Sequence, residues 1–137
     1  MPLRISALCA LLLSAAVQAA TAGGIDLQAN REPIRTEKNP AAIALIPANF
    51  HFAVPGKLTV AVAFENSPPL ALFAEDNKTL IGSDPDIARL VADSLGLELN
   101  LVPTSWEDWP LGISTGKYDA AIFNIAVTKL RKTKFDF

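Results

Sequence analysis

The sequence predicts an α/β domain built on a mostly parallel sheet with helices on both faces. From Gly56 onward, apolar strand-like segments alternate with helical segments, and each helical segment starts at a residue that can cap a helix. The order strand, helix, strand, helix, strand, helix favours parallel pairing. Because ligands of such sheets bind outside the carboxyl ends of the strands, we expect the site in the loops at 64–70, 103–109 and 123–131.

The strands are predicted from runs of apolar residues. KLTVAVAF, at 57–64, alternates large apolar side chains with small residues, which is typical of a strand buried on both faces. The segment 67–84 that follows predicts a hairpin with its turn at 75–78. Two further strands are predicted, and a fourth would open at the end of the chain: 97–103, 118–127 and 135–137.

The clearest helix is predicted for SDPDIARLVADSLG, which carries apolar residues at helical spacing. Asp84 is expected to cap this helix, Pro85 to occupy its first position, and Gly96 to end it. Two shorter helices are predicted downstream, one starting at Ser105 and one starting at Thr128.

The first 22 residues have the pattern of a secretory signal peptide. Arg4 supplies the positive charge, residues 5–17 form an apolar run too short to span a membrane, and small residues follow. The cysteine of the sequence, Cys9, lies within this segment, so disulfides and cysteine-ligated zinc are not expected in the mature chain. We therefore expect a periplasmic protein.

Residues 23–55 are polar and interrupted by prolines, which indicates a linker or an arm along the surface. One short helix is predicted inside this segment, capped by Asn39, starting with Pro40 and ended by Pro47. The single histidine, His51, also lies here, far from the expected site.

The overall composition and charge exclude some classes of function. Half of the residues are hydrophobic and the net charge is -2, which is typical of a folded globular domain. A basic stripe with interleaved aromatic residues is absent from the sequence, so no nucleic-acid partner is expected. No cofactor or metal is expected either.

The stretch 56–137 resembles the bacterial extracellular solute-binding proteins of family 3, which serve polar amino-acid ABC transporters. The motifs that carry the resemblance occur in the family's order and spacing: GKLTVAV, PPL, GSDPDIARLVADSLG, a tryptophan at 106, GKYDAAI and VTKLRKTKFDF. The resemblance implies a type II periplasmic-binding-protein lobe that captures an amino acid or similar small carboxylate. It also implies a partner, the ABC permease in the inner membrane, and no enzymatic activity.

The resemblance also implies two lobes, of which 56–137 provides only part of the first. We therefore expect a truncated form or a fragment, in which the second lobe is absent and ligand binding is weak, about millimolar. An exported dehydratase-like enzyme and a sensor module are the alternative functions for the same fold.

Arg131 is the leading candidate for ligand binding. Thr128 is expected to cap a helix at the ligand end of a central strand, so that unpaired backbone N–H groups and Arg131 face the crevice together. The planar guanidinium offers a two-pronged donor to a carboxylate. By resemblance, the family's arginine that binds the ligand's α-carboxylate falls on Arg131, and the family's aromatic cover falls on Trp106. Trp109 is expected to belong to the core.

The resemblance assigns further positions. Glu65 would pair with the ligand's ammonium group, and Asn124 and Ala126 would contact the carboxylate, the latter through its N–H alone. Several residues depart from the family pattern and leave the ligand class open: Leu70 in place of an aromatic, Ser83 within the helix signature, Phe123 in place of a small residue, and Ala126 without a hydroxyl.

Overall fold

The computed structural model describes residues 24–28, 32–63 and 67–137. The predicted signal peptide and Glu65 lie outside the described residues. In chain order the elements are α1 (Pro40–Ala44), β1 (Lys57–Ala63), β2 (Leu72–Phe73), β3 (Leu80–Ile81), α2 (Ser83–Leu95), β4 (Glu98–Thr104), α3 (Trp109–Ser114), β5 (Ala120–Ile122) and α4 (Lys129–Lys132). No helix among the described residues is long and apolar enough to cross a bilayer.

A parallel three-stranded sheet forms the centre of the fold, in the order β4-β1-β5. The predicted alternation of strands and helices is confirmed, with β2 and β3 forming a separate antiparallel hairpin. β1 occupies the middle of the sheet because its large and small side chains fit between layers on both sides, and Val60 and Val62 are fully buried. They pack in one core cluster with Leu80, Ala88 and Ala92.

The start of α2 differs from the prediction. The helix begins at Ser83, and Gly82, with φ at 122°, precedes it without a side-chain cap. Backbone contacts hold this start in place: Ser83 N donates to Pro69 O at 3.1 Å, and Asp84 N donates to Leu70 O at 3.0 Å. The prediction that Asp84 caps α2 is therefore wrong, because the carbonyl groups of Pro69 and Leu70 accept from the first N–H groups of the helix and the carboxyl group of Asp84 is buried.

The later strands and helices are shorter than predicted. β5 ends at Ile122 and α3 begins only at Trp109, after a turn in which Ser105 Oγ accepts from Asp108 N at 3.2 Å. The fourth strand predicted at 135–137 does not form. Instead of pairing with a neighbouring strand, Phe135 N donates to Arg131 O at 2.9 Å.

The segment before β1 lies against the domain as an arm. Arg35 forms a two-pronged ion pair with Asp93 of α2, with Nε–Oδ2 at 2.6 Å and Nη2–Oδ1 at 2.7 Å. The hydrogen bond from Arg35 and its charge lower the pKa of Asp93 below its usual value. Asn39 caps α1 as predicted, and its N–H donates to Ser94 O at 2.8 Å.

Asp119 connects this arm to the sheet, and its loss is expected to destabilise the fold. Its two carboxylate oxygens accept from Ala53 N and Thr59 N, both at 2.7 Å. Asp119→Ala would leave two partly buried N–H groups without a charged acceptor, so we expect the free energy of unfolding to fall by about 3 kcal/mol. Urea denaturation followed by circular dichroism measures this loss. The exposed Asp136→Ala is the matched control, and equal stability of the two variants would contradict the prediction.

Candidate ligand-binding site

A small cavity lies where the carboxyl ends of the parallel strands meet, as the sheet topology predicts. Its volume is about 100 Å³, below the roughly 300–1,000 Å³ of a whole small-molecule pocket, so it suits one group of a ligand rather than all of it. The walls come from the ends of β1 and β4, the segment after β5, and the loops beside them: Ala63, Ser67, Leu70, Asp84, Thr104, Trp106, Phe123 and Asn124.

Arg131 lies beside this cavity, in the single turn of α4. Thr128 caps that turn as predicted, since its Oγ1 accepts from Arg131 N at 3.2 Å. The guanidinium carbon sits 5.5 Å from the centre of the Trp106 ring, and Nη1 donates to Ala126 O at 2.8 Å. The arginine and the indole that the sequence predicts to converge are therefore in contact.

The Arg131 side chain retains unused donors. Nη1 donates to the Ala126 carbonyl, whereas Nε and Nη2 make no hydrogen bond within the described part of the chain. These two nitrogens share one edge of the planar guanidinium, and their N–H groups can donate to both oxygens of a carboxylate. The geometry therefore leaves a two-pronged anion-binding edge next to an aromatic wall.

Four aromatic side chains pack against one another beside this arginine, and we call them the aromatic cluster: Trp106, Trp109, Phe123 and Phe135. Ring centres lie 6.3 Å apart for Trp106 with Trp109 and for Trp106 with Phe123, and 5.1 Å apart for Trp109 with Phe135. Trp106 is 43% exposed and lines the cavity, whereas Trp109 is 4% exposed. Trp109 is buried, as predicted, but it also lies 6.0 Å from the guanidinium, a contact that the sequence did not indicate.

Asp84 is a site residue that the sequence analysis missed. Its side chain is buried, with 6% exposure, and lines the cavity. Ser83 Oγ donates to its Oδ1 at 3.3 Å, whereas Oδ2 has no hydrogen-bond partner among the described residues. Burial raises the pKa of Asp84 above its usual value. A buried carboxylate of this kind is costly unless a cation or a hydrogen-bond donor reaches it, so the cavity suits a cationic or hydrogen-bond-donating group of a ligand.

The structure brings together most of the predicted site residues. Three of them line the cavity: Leu70, Trp106 and Asn124. Arg131 borders it through Trp106, and Ala126 contributes its carbonyl to Arg131 rather than an N–H to the cavity wall. Glu65 lies outside the described residues, so its place in the site stays a prediction.

Solved structures of amino-acid-binding proteins resemble this fold. The arginine-bound form of domain 1 from TmArgBP is 31% identical, with a TM-score of 0.51 over 57% of this chain and 60% of that chain. The ancestral cationic amino acid solute binding protein AncCDT-1 is 33% identical, with a TM-score of 0.54 over 60% of this chain and 35% of that chain. AncCDT-1 is also described as a precursor of cyclohexadienyl dehydratase.

Sequence comparison leads to the same group of proteins. The L-cystine-binding protein TcyJ of Escherichia coli K12 is 30% identical over 79 residues, which are 58% of this chain and 30% of TcyJ. The chain thus spans about a third of the length of this relative. Residues 58–137 match the family model of the bacterial extracellular solute-binding proteins, family 3. The chain therefore belongs to family 3 of the bacterial extracellular solute-binding proteins, and its sheet is an incomplete lobe of the type II periplasmic-binding-protein fold.

Proposed function

We propose that this chain binds an amino acid with a cationic side chain, as the periplasmic solute-binding component of an ABC transporter. The observation that carries the proposal is the pairing of opposite charges around one aromatic wall. The guanidinium of Arg131 lies over Trp106 on one side. Asp84, whose Oδ2 has no hydrogen-bond partner among the described residues, lines the same cavity as that indole. A ligand with a carboxylate and a cationic group complements both.

The carboxylate of the ligand would bind the free edge of Arg131. Each charge-assisted hydrogen bond of this kind contributes roughly 1.5–3 kcal/mol. The contacts of Arg131 with Trp106 and Ala126 fix its orientation before the ligand arrives, which lowers the entropic cost of binding.

The cationic group would reach Asp84 within the cavity. Its charge stabilises the ionised carboxylate and offsets the burial that raises the pKa of Asp84. The exposed part of Trp106 would cover the aliphatic portion of the ligand between the two charges. The arginine-bound domain 1 of TmArgBP and the cationic amino acid binding by AncCDT-1 support this ligand class.

The transport role rests on the family and on the predicted signal peptide. Family membership and the L-cystine-binding relative support delivery of an amino acid to a permease in the inner membrane. The chain covers 30% of that relative, so we propose the role for the protein to which this lobe belongs.

Titration of tryptophan fluorescence tests the ligand class, because both tryptophans of the chain belong to the aromatic cluster. We expect L-arginine and L-lysine to bind with an affinity of about 1 mM, equivalent to roughly 4 kcal/mol. L-Glutamate should bind at least tenfold more weakly, since its second carboxylate would meet Asp84. Trp106→Ala should weaken L-arginine binding about tenfold, because the ligand loses its aromatic wall, as measured by calorimetry. Equal affinity for L-glutamate and L-arginine would contradict the proposed class.

A second candidate is an exported dehydratase, favoured by the raised pKa of Asp84, which suits a general acid. We rank it second because Asp84 is the only carboxylic acid among the described residues that line the cavity. Incubation with a cyclic hydroxy-acid and chromatography of the product distinguishes the two functions, and we expect no turnover.

A further inference from the structure

Arg131, Trp109 and Phe135 form a closed set of contacts behind the ligand site. The guanidinium of Arg131 lies 6.0 Å from the centre of the Trp109 ring. Trp109 in turn packs on Phe135, with ring centres 5.1 Å apart and planes inclined by 53°. Phe135 N donates to Arg131 O at 2.9 Å, which connects the third residue back to the first.

Trp109 and Phe135 do not line the ligand cavity, so they influence binding through the residues that Trp109 contacts: Arg131, and the cavity residues Trp106 and Phe123. Trp109 is almost fully buried, and its indole lies within cation–π distance of the guanidinium, as that of Trp106 does. A guanidinium held against two indoles and a carbonyl keeps fewer orientations than one on a free side chain. The position of Trp109 therefore restricts where the free edge of Arg131 points.

Phe135 is the support that keeps Trp109 in this position. A second cavity, of about 370 Å³, adjoins both rings, so the indole has space to shift if the phenyl ring is removed. The hydrogen bond from Phe135 N to Arg131 O holds the backbone of Phe135 against the end of α4. A substitution at Phe135 would thus let the indole of Trp109 shift and so change the orientation of the Arg131 guanidinium.

We propose that Trp109 and Phe135 are positioning residues that fix the orientation of the Arg131 guanidinium. The arrangement of the side chains holds for the free protein. The consequence for binding is that Trp109 and Phe135 control the affinity for the carboxylate of the ligand from outside the cavity. This consequence rests on the proposed function.

Tryptophan fluorescence of the ligand-free full chain tests the arrangement, since all tryptophan signal comes from Trp106 and Trp109. The change in emission caused by Arg131→Leu is measured in three backgrounds: wild type, Phe135→Leu and Phe137→Leu. Phe137 is 59% exposed and serves as the matched control. We expect this change to fall at least twofold in the Phe135→Leu background and to keep its wild-type size in the Phe137→Leu background. An undiminished change in Phe135→Leu would overturn the proposal.

A second variant covers the case in which Phe135→Leu does not fold, as judged by far-ultraviolet circular dichroism. Trp109→Phe keeps an aromatic ring in the core and leaves Trp106 as the single reporter. Wild type has two reporters and this background has one, so the Arg131→Leu change is expressed as a fraction of the emission of each background. The proposal expects this fractional change to fall at least twofold in Trp109→Phe too. The same change as in wild type would refute it.

A ligand titration separates positioning from general damage. L-Arginine and agmatine, its decarboxylated form, are titrated into wild type and Phe135→Leu. We expect L-arginine affinity to fall about fivefold and agmatine affinity to stay within a factor of 1.5, because only the carboxylate contacts Arg131. An equal loss for both probes contradicts the positioning role. If neither probe binds wild type, the proposed function fails, whereas the ligand-free fluorescence still decides the inference.

Discussion

Arg131→Ala is expected to abolish measurable binding of L-arginine while leaving the fold intact. The substitution removes the two guanidinium nitrogens that make no hydrogen bond among the described residues, and the loss of two charge-assisted hydrogen bonds to the ligand corresponds to a weakening of at least about 150-fold. Arg131→Lys should lose nearly as much, because an ammonium group lacks the planar edge that holds two carboxylate oxygens. Fluorescence and calorimetric titrations with L-arginine measure both variants.

Arg35→Ala is the matched control for this prediction. It removes the same charge from an exposed ion pair with Asp93, on the arm rather than at the site. We expect its L-arginine affinity to match that of wild type. Unchanged affinity in Arg131→Ala would refute the assigned role of Arg131, and equal losses in both variants would mean that overall charge, rather than the site, sets the affinity.

Asp84→Asn is expected to stabilise the free protein and to weaken binding of cationic ligands. The variant removes a buried acidic group whose Oδ2 has no hydrogen-bond partner among the described residues, so the free energy of unfolding at neutral pH should rise by about 1 kcal/mol. The same change removes the negative charge that the cationic group would meet, so L-arginine affinity should fall at least tenfold. Thermal unfolding and fluorescence titration measure the two effects.

The pH dependence of stability provides a second test of Asp84. Burial raises its pKa, so the folded protein keeps a proton at a pH where the unfolded chain has already released it. The contribution of Asp84 to stability is therefore complete below the ordinary pKa of the carboxyl group and is lost as the pH rises through the raised pKa. This loss should be absent from Asp84→Asn and present in Asp86→Asn, a neighbouring α2 residue with the same charge. Parallel stability curves for all three proteins would contradict the role assigned to Asp84.

The sequence was sufficient to predict the elements whose structure is determined by residues close together in the chain. β1 follows from alternating large and small apolar residues, and α1 follows from an N-cap asparagine before proline. The approach of Arg131 to Trp106 also follows, because the ends of parallel strands meet at one edge of the sheet. The predictions of β1 and α1 depend on periodicity and capping alone, whereas the prediction for Arg131 and Trp106 also used the resemblance to the family.

The missed features depend on contacts between distant parts of the chain. An aspartate that caps a helix and one that lines a cavity have the same local sequence. Here the carbonyl groups of Pro69 and Leu70, which precede β2, accept from the first N–H groups of α2, so Asp84 does not cap the helix. The contacts of Trp109 with Phe135 and Arg131 likewise join segments that no periodicity connects. The predicted strand at 135–137 fails for a related reason, since a strand requires a partner and this segment folds back onto Arg131.

The central claim is that the free guanidinium edge of Arg131 receives the carboxylate of an amino acid. The most direct measurement follows the Nε–Hε resonances of arginine side chains in ¹⁵N-labelled protein, with the Arg131 signal identified by its loss in Arg131→Lys. We predict that L-arginine shifts this resonance in a saturable way and that agmatine leaves it in place. An Arg131 signal that stays unchanged at saturating L-arginine, or that moves equally with agmatine, would contradict the claim.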